Sequence, residues 1–161
     1  MRVFRVCKRR HAAFDGQGAR LAGGRWNHPG SAIVYTSETL SLAALELVVQ
    51  LGRDELPGDL VLVSAEIPES VRAVHAPIDA PERDWRFYPA SADLCNVGTL
   101  WAARLMSAVL AVPSTIVPAE RTYLLNPAHP AFREIRIDPP VPFALRSAAR
   151  GLPGGLHDGA R

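Results

Sequence analysis

The 161-residue sequence contains only two cysteines, Cys7 and Cys95, and no continuous apolar run that could span a membrane. Two cysteines without CxxC or Cys/His spacing exclude a disulfide framework and the common zinc motifs. Lys and Arg number 18 against 16 acidic residues, a balance that does not by itself indicate a nucleic-acid or membrane surface. These absences predict a protein of the reducing cytoplasm that does not associate with membranes.

Two familiar ligand-binding patterns are also missing. The segment GQGARLAG (16–23) begins like a dinucleotide-binding glycine loop, but its third glycine position holds Leu21 and no apolar strand leads into it. The five histidines are scattered and include no HExxH pair. We therefore expect neither a Rossmann nucleotide site nor a bound metal.

Short segments rich in β-branched and aromatic residues, bounded by Gly, Pro, Asn or Asp, are typical of strands. The predicted strands are RVFRV (2–6), SAIVYTS (31–37), DLVLVSAEI (59–67), PSTIVP (113–118), RTYLLN (121–126) and REIRI (133–137). The predicted helices are LSLAALELVVQLG (40–52) and SADLCNVGTLWAARLMSAVLA (91–111). This mixture predicts a single α+β domain, and the chain is long enough to bury a substantial core.

Two segments are predicted to lie outside this regular structure. The stretch from Ala73 to Pro89 is rich in proline and is expected to form an irregular surface loop. Residues 146–161 are small, Gly-rich and polar, so they bury too little apolar area to offset the conformational entropy of the chain. We therefore divide the chain into a domain at 1–145 and a flexible tail at 146–161.

Glu46 is the unexpected residue of the first predicted helix. Its neighbours three and four positions away are Leu42, Ala43, Val49 and Gln50. The helix is apolar on nearly all sides, which predicts that it is buried, and it offers no Lys or Arg to pair with the carboxylate. Because burying an unpaired carboxylate is costly, either a structural arginine lies opposite or this helix face opens into a ligand pocket.

The segment GGRWNHPGSAIVYTS (23–37) combines groups suited to ligand binding. Its two glycines allow a ligand to approach the backbone closely, and Arg25 offers the planar donor fork that binds phosphate oxygens. Tyr35 and Ser37 alternate with Thr36 and therefore lie on one side of the predicted strand. The residues alone leave two interpretations open: a phosphate clamp with an aromatic pocket floor, or a structural ion pair with ordinary aromatic packing.

The remaining polar features are less specific. The basic segment CKRRH (7–11) lacks the interleaved aromatic residues of a surface for single-stranded nucleic acid, and a solvated strand end accounts for it, with phosphate or an acidic partner left open. Arg5 is either a surface residue of the first strand or a second cleft residue. Asn126 and His129 are expected to shape turns at Asn-Pro and His-Pro rather than to touch a ligand.

Two long segments carry an ordered set of short motifs. FDGQGARLAGGRWNHPGSAIVYTSETLSLAALEL (14–47) contains Gly-Gly-Arg-Trp, then Tyr-Thr-Ser, then the Glu-bearing helix. PSTIVPAERTYLLNPAHPAF (113–132) contains Pro-Ser followed by Asn-Pro-x-His-Pro. In this order and spacing the motifs resemble the RES-domain family, toxins of bacterial toxin–antitoxin pairs named for an arginine, a glutamate and a serine. The resemblance spans nearly the whole chain.

The resemblance implies the ADP-ribosyltransferase fold and cleavage of the nicotinamide–ribose bond of nicotinamide adenine dinucleotide (NAD+) as substrate, with no metal. The three named residues correspond to Arg25, Glu46 and Ser114. The resemblance assigns Arg25 to the pyrophosphate, with Tyr35 and Ser37 beside the bound NAD+. Glu46 would stabilise the developing ribosyl cation, and Ser114 would bond that carboxylate or the nicotinamide amide.

The resemblance also implies a cognate antitoxin as partner, because a toxin that consumes NAD+ would harm its own host. The acceptor of the ADP-ribosyl group stays open among water, inorganic phosphate and a protein target. A second hypothesis is a non-enzymatic binding toxin or a toxin that acts on nucleic acid, with CKRRH (7–11) and Arg20 as its basic surface. Only the first hypothesis predicts release of nicotinamide.

Overall fold

An eight-stranded sheet organises the computed structural model, which describes residues 1–51, 57–76, 85 and 88–145. The strands are β1 (Arg2–Lys8), β2 (Val34–Ser37), β3 (Leu60–Glu66), β4 (Ala73–His75), β5 (Val109–Pro113), β6 (Arg121–Leu125), β7 (Arg136–Ile137) and β8 (Val141–Pro142). The α-helices are α1 (Gln17–Ala22), α2 (Leu40–Leu51) and α3 (Ala92–Ala103), and 3-10 turns lie at Arg9–His11 and Pro130–Glu134. The α+β prediction is confirmed.

The strand order places β2 in the middle of the sheet. From edge to edge the order is β4-β5-β6-β2-β1-β3-β7, and β8 also pairs with β3. Only the β4–β5 pair is parallel among the described strands. Ser37 of β2 lies opposite Phe4 of β1 on one side and Thr122 of β6 on the other. Because directly paired residues point to the same side of a sheet, these three side chains share one face.

The two faces of the sheet are covered differently. On the face opposite Ser37, fully buried Val3, Val34, Val63 and Val109 form an apolar core that loop aromatics such as Phe14 complete. The other face, which we call the helix face, carries two separate clusters.

The helices α2 and α3 cover different parts of the helix face. Ala43 and Leu47 of α2 pack with Val6 of β1, whereas Leu94 and Trp101 of α3 belong to the cluster that contains strands β5 and β6. The end of β2 therefore lies between the regions covered by the two helices. Side chains of β2 that point to the helix face are placed to line a cleft there.

The predicted helix at 91–111 is too long. Helix α3 ends at Ala103, and Leu105 then adopts a left-handed conformation with φ of 49°. Trp101 Nε1 donates to Ser107 Oγ, which in turn donates to the main-chain oxygen of Val109, and β5 begins there. A short apolar run such as 107–112 fits a helix or a buried strand equally well by periodicity, which is why the boundary was missed.

The predicted strand PSTIVP (113–118) is wrong. Pro113 is the last residue of β5, so Ser114 follows a strand instead of beginning one. The hydroxyl of Ser114 accepts hydrogen bonds from the main-chain N–H groups of Ile116 and Val117, at 3.2 and 3.3 Å. A serine side chain that bonds the backbone two and three residues ahead favours a turn over an extended chain.

Other boundaries differ less from the prediction. Strands β1, β3 and β6 lie where the β-branched and aromatic segments predict them, and α2 confirms the first predicted helix. Only the last part of 31–37 and of 133–137 is strand. The expectation that α2 is buried on nearly all sides is wrong, because the side chains of Leu45 and Val49 are 40% and 59% exposed.

The structure tests part of the prediction for segment 73–89 and none of the prediction for segment 146–161. Ala73–His75 forms edge strand β4 and corrects the loop prediction for 73–89 at its start, whereas most of the remainder lies outside the described residues. The predicted tail at 146–161 lies entirely outside them. No helix within the described ranges is long and apolar enough to cross a membrane.

Candidate active site

The Gly-Gly-Arg-Trp motif forms a tight turn between α1 and β2. Gly24 N donates to the main-chain oxygen of Asn27 at 2.9 Å, and Asn27 N donates back to the Gly24 oxygen at 3.3 Å. This pair of bonds places Arg25 and Trp26 at the tip of the turn. We call residues 24–27 the arginine turn.

Both glycines are required by close contacts at this turn. Gly23 ends α1 with a left-handed φ of 74°, and a Cβ there would lie 3.0 Å from Pro29. A Cβ at Gly24 would lie 2.5 Å from Tyr35 Oη and 2.8 Å from Tyr35 Cζ. Glycine at position 24 therefore lets the tyrosine of β2 reach the backbone of the arginine turn.

The hydroxyl of Tyr35 holds the arginine turn in place. It donates to Asn27 Oδ1 at 2.7 Å and accepts from the main-chain N–H of Trp26 at 3.1 Å. Burial raises the pKa of Tyr35 well above its ordinary value of 10, and the bond from Trp26 opposes the shift only in part. Tyr35 is thus a neutral phenol whose hydroxyl has two protein partners, and it is the ring that is left to contact a ligand.

Helix α3 supports the arginine turn from the other side. Trp26 is almost fully buried, and its main-chain oxygen accepts from Gly98 N at 2.9 Å. A Cβ at Gly98 would lie only 2.2 Å from that oxygen, so α3 and the turn touch backbone to backbone. His28 N donates to Thr99 Oγ1 at 2.9 Å and adds a second link. The tryptophan is core, as the structural interpretation of this motif expects.

Arg25 is partly buried beside several polar and aromatic groups. Its Nη1 donates to the main-chain oxygen of Trp85 at 3.0 Å, and the Cys95 thiol donates to the main-chain oxygen of Arg25. Burial lowers the pKa of Arg25, while the side chains of Cys95, Tyr35 and Tyr88 oppose the shift. An arginine keeps its charge in such surroundings. The site therefore holds a cation close to the ring of Tyr35.

Glu46 projects from α2 onto the end of β2 and is held by two hydroxyl groups. Its Oε2 accepts from Ser37 Oγ at 2.9 Å, and its Oε1 accepts from Thr122 Oγ1 at 3.1 Å. Each carboxylate oxygen thus has one partner, from β2 and β6 respectively. Ser37 is 1% exposed and Thr122 6%, so both hydroxyls are fixed within the sheet.

The described partners of Glu46 are neutral hydroxyl groups and include no arginine. Within the described part of the chain, salt bridges join the N-terminus and Arg2 to Glu66 and Asp138, and none involves Glu46. Burial raises the pKa of Glu46, the bonds from Ser37 and Thr122 lower it, and the nearby charge of Glu120 raises it again, with a net increase. The carboxylate is therefore held by neutral donors in a partly buried position, as a ligand-facing acid would be.

Ser114 is buried and engaged in its own turn. Besides the two bonds to its hydroxyl, Ser114 N donates to the main-chain oxygen of Glu120 at 3.0 Å. The expected bond between Ser114 and the carboxylate of Glu46 is replaced by those from Ser37 and Thr122. The Ser114 turn is linked to Glu46 indirectly, because Ser114 is bonded to Glu120 and the charge of Glu120 acts on Glu46.

Strand β2 brings the predicted residues together. Tyr35 and Ser37 both point to the helix face, about 7 Å apart at two residues along a strand. Thr36 points the other way and donates to the main-chain oxygen of Tyr123 at 2.8 Å. Arg25 lies near Tyr35, and Glu46 is bonded to Ser37. The cation and the carboxylate thus lie toward opposite ends of one short strand segment.

Two important residues were not identified in the sequence. Thr122 is a small polar residue in the otherwise apolar and aromatic part of β6 that follows Arg121. This position is the sequence signal that its hydroxyl has a specific partner. Asn27 is 1% exposed and donates to the main-chain oxygens of Ala19, His28 and Ser31. Its role depends on contacts across the loop that no local pattern reveals.

The residues of uncertain role fall outside this cleft. Arg5 lies on the opposite face of β1 from Phe4 and donates to the main-chain oxygen of Ala13, so it is not a second cleft residue. Asn126 and His129 shape turns as predicted: Asn126 bonds Ala102 and Ala128, and His129 Nδ1 accepts from the N–H of Ala131. No group of three His, Cys, Asp or Glu side chains suited to a metal occurs within the described ranges.

Comparison with known proteins shows to which family this sequence is similar. The model of the RES domain matches residues 2–146. A protein called Toxin Res from Yersinia enterocolitica serotype O:8 is 39% identical over 135 residues, which cover 83% of this chain and 88% of that protein. A protein called Prs ADP-ribosylating toxin from Sphingobium sp. strain YBL2 is 43% identical over 125 residues, which cover 76% and 77%.

A solved structure has the same fold. The crystal structure of the M. tuberculosis MbcT–MbcA toxin–antitoxin complex contains a chain that superimposes with a TM-score of 0.67. The match covers 88% of this chain and 83% of that one, at 17% sequence identity. At this identity the likeness concerns the α+β fold alone.

Proposed function

We propose that this chain, which belongs to the RES domain family of toxins from toxin–antitoxin systems, cleaves the nicotinamide–ribose bond of NAD+. The observation that carries the proposal is the position of Glu46. This partly buried carboxylate is held by two hydroxyl groups on the strand face that also carries Tyr35, and Tyr35 in turn interacts with the cation of Arg25. The printed name of the Sphingobium relative, an ADP-ribosylating toxin, supports the same chemistry.

The reaction needs a fixed negative charge. Cleavage of the bond between the positively charged nicotinamide ring and the ribose releases neutral nicotinamide and leaves oxocarbenium character on the ribose. A carboxylate whose orientation is set before the reaction stabilises that charge without reorganising, and it does so more strongly in a partly dehydrated cleft. Glu46 fits this role because Ser37 and Thr122 fix both of its oxygens.

The remaining predicted residues bind and orient the substrate in this proposal. Arg25 grips the pyrophosphate, for which a guanidinium fork at the tip of a rigid turn is suited. The ring of Tyr35 packs against the nicotinamide riboside, while its hydroxyl keeps the arginine turn in register. Ser37 orients Glu46 by donating a hydrogen bond to its carboxylate. Ser114 shapes the wall of the cleft through its turn. A metal has no part in this scheme.

The acceptor of the ADP-ribosyl group is the open part of the reaction. Water, inorganic phosphate and a protein side chain all attack the same ribose carbon, and the name of the Sphingobium relative favours transfer. Mass spectrometry of the products with and without phosphate and cell extract identifies the acceptor. A mass increase on a protein supports transfer, and free ADP-ribose or its phosphate supports the other two routes.

We further propose that residues 1–145 form the catalytic domain and that a cognate antitoxin controls it by covering the cleft between Arg25 and Glu46. The fold likeness to a chain of a toxin–antitoxin complex supports such a partner. In a co-purified complex, nicotinamide release should fall well below the rate of the free protein. Release at the free rate would argue against occlusion of the cleft.

The direct test is a nicotinamide-release assay on the purified chain with NAD+. The wild type should release nicotinamide, Glu46→Gln should release it far more slowly, and Glu134→Gln should match the wild type because Glu134 is an exposed residue whose carboxylate accepts a hydrogen bond from Ser70. The alternative of a nucleic-acid-acting toxin predicts no release from any of the three. That result would overturn the proposal.

A further inference from the structure

We propose that Glu120 is a positioning residue that fixes the first turn of α2, and through it the catalytic carboxylate, by bonding the cap of that helix. Thr39 directly precedes α2, and its Oγ1 accepts from Leu42 N at 3.0 Å. The same hydroxyl donates to Glu120 Oε2 at 2.6 Å. A capping hydroxyl fixed by a carboxylate has one orientation, so the helix begins at one place. The inference rests on the proposed function, because it concerns Glu46.

The backbone of Glu120 joins a second part of the site to the same point. Its main-chain oxygen accepts from Ser114 N at 3.0 Å, and its N–H donates to the main-chain oxygen of Val117 at 2.9 Å. These bonds close the turn that Ser114 caps. One residue therefore connects the Ser114 turn to the N-terminus of the helix that carries Glu46.

The neighbouring residues keep this connection rigid. Glu38 N donates to the main-chain oxygen of Arg121 at 2.9 Å, and Arg121 N donates back to Glu38 Oε2 at 2.8 Å. The segments 38–39 and 120–121 are thus joined by three hydrogen bonds, one of them from Thr39 to Glu120. Residues 37 and 122, which hold Glu46, directly adjoin these segments, one before 38–39 and the other after 120–121. A change at Glu120 is expected to reach the catalytic carboxylate through this short path.

Glu120 also acts on Glu46 through its charge. The described groups that influence Glu46 are the hydroxyls of Ser37 and Thr122, which lower its pKa, and Glu120, whose negative charge raises it in addition to the larger effect of burial. The helix α2 contributes no other charged side chain. Glu120 therefore has two separable effects: its oxygen fixes the helix cap, and its charge makes Glu46 harder to ionise.

Three substitutions separate these effects in the nicotinamide-release assay. Glu120→Gln keeps an oxygen for Thr39 but removes the charge, Thr39→Val removes the hydroxyl but leaves the charge, and Glu120→Ala removes both. If Glu46 must be ionised to act, the acid limb of the kcat/KM profile reports its pKa in the free protein. Removing the charge of Glu120 should therefore shift that limb to lower pH.

The expected pattern is specific. Thr39→Val and Glu120→Ala should lower kcat on the order of tenfold to a hundredfold, the range for a reacting group displaced by about an ångström, with little change in KM. Glu120→Gln should retain most of kcat at neutral pH. Glu120→Gln and Glu120→Ala should shift the acid limb downward, whereas Thr39→Val should leave it in place. Thr39→Ser, which keeps the hydroxyl, should restore kcat.

The control is Glu134→Gln, which also removes a carboxylate bonded to a serine hydroxyl but at a distant exposed site. It should change neither kcat nor the acid limb. Two results together would overturn the inference: wild-type kcat in Thr39→Val and an unmoved acid limb in Glu120→Gln. They would do so even if Glu120→Ala failed to fold. Such a result leaves the proposed function intact, because that fails only if the wild type releases no nicotinamide.

Discussion

Gly24 and Tyr35 are in such close contact that a Cβ at residue 24 would lie 2.5 Å from the tyrosine hydroxyl oxygen. That hydroxyl is also bonded to Asn27 and to the N–H of Trp26, so it cannot move aside without breaking both bonds. Gly24 therefore leaves the space that the Tyr35 hydroxyl needs to hold the arginine turn against β2. This contact explains why the residue directly before Arg25 is glycine.

We predict that Gly24→Ala destabilises the fold by about 1–3 kcal/mol, the usual cost of inserting a methyl group into a packed site. Thermal melting of the variant measures the effect. Gly18→Ala is the matched control, because a Cβ there meets nothing within 4 Å and alanine favours helix α1. Equal melting temperatures for Gly24→Ala and the wild type would show that Tyr35 is not fixed as described.

Tyr35→Phe should lower stability by about 1–3 kcal/mol, because it leaves the side-chain oxygen of the buried Asn27 and the N–H of Trp26 without their partner. The ring remains, so activity per folded molecule should fall less than in Tyr35→Ala. Melting curves and nicotinamide release on the same preparations test this division. If Tyr35→Phe melts like the wild type but loses all activity, the hydroxyl acts on substrate instead.

Arg25→Lys should raise the KM for NAD+ by about tenfold or more, because an ammonium group keeps the charge but loses the two-pronged grip on phosphate. Stability should change much less than binding, since a lysine amine can still donate to a main-chain oxygen such as that of Trp85. Steady-state kinetics and melting measure the two effects. A lysine variant with the wild-type KM would place Arg25 outside the binding site.

Glu46 should make the stability of the fold depend on pH. Its folded-state pKa is raised above its ordinary value of 4.5, so the group favours the folded state below that value and this contribution is lost as the pH rises through the folded pKa. Glu46→Gln cannot ionise and should escape the loss. The melting temperature of Glu46→Gln relative to the wild type should therefore increase between about pH 4 and pH 7. A difference that is constant over this range would contradict the raised pKa.

Much of the fold and of the site can be predicted from the sequence, for identifiable reasons. Strands β1, β3 and β6 are short and rich in β-branched or aromatic residues, and α2 ends near Gly52, so their patterns suffice. The apolar run of β5 fits a helix as well as a strand, and only the bonds around Ser107 show where α3 has ended. Periodicity therefore fails where a buried strand directly follows a helix.

The same limit applies to the site. Arg25, Tyr35 and Glu46 are conspicuous in the sequence because each is a large polar or charged group in an apolar or glycine-rich context. The hydroxyl groups of Ser37 and Thr122 become partners of Glu46 only when β2 and β6 pair in register, 85 residues apart along the chain for that pair. Ser114 stays a predicted ligand-binding serine, and the turn in which its hydroxyl accepts from Ile116 N and Val117 N could not be predicted from the sequence.

The central claim is that Glu46 is a catalytic carboxylate, and one preparation of Glu46→Gln tests it most directly by thermal melting and nicotinamide release. We predict a melting temperature equal to or slightly above that of the wild type at neutral pH, because an ionised group in a partly buried position is lost. We also predict a fall in the rate of nicotinamide release on the order of a hundredfold or more, as when a single preorganised electrostatic group is removed. Removing one member of a buried structural ion pair would instead destabilise the fold by about 3–5 kcal/mol and leave activity per folded molecule normal. That result would contradict the account.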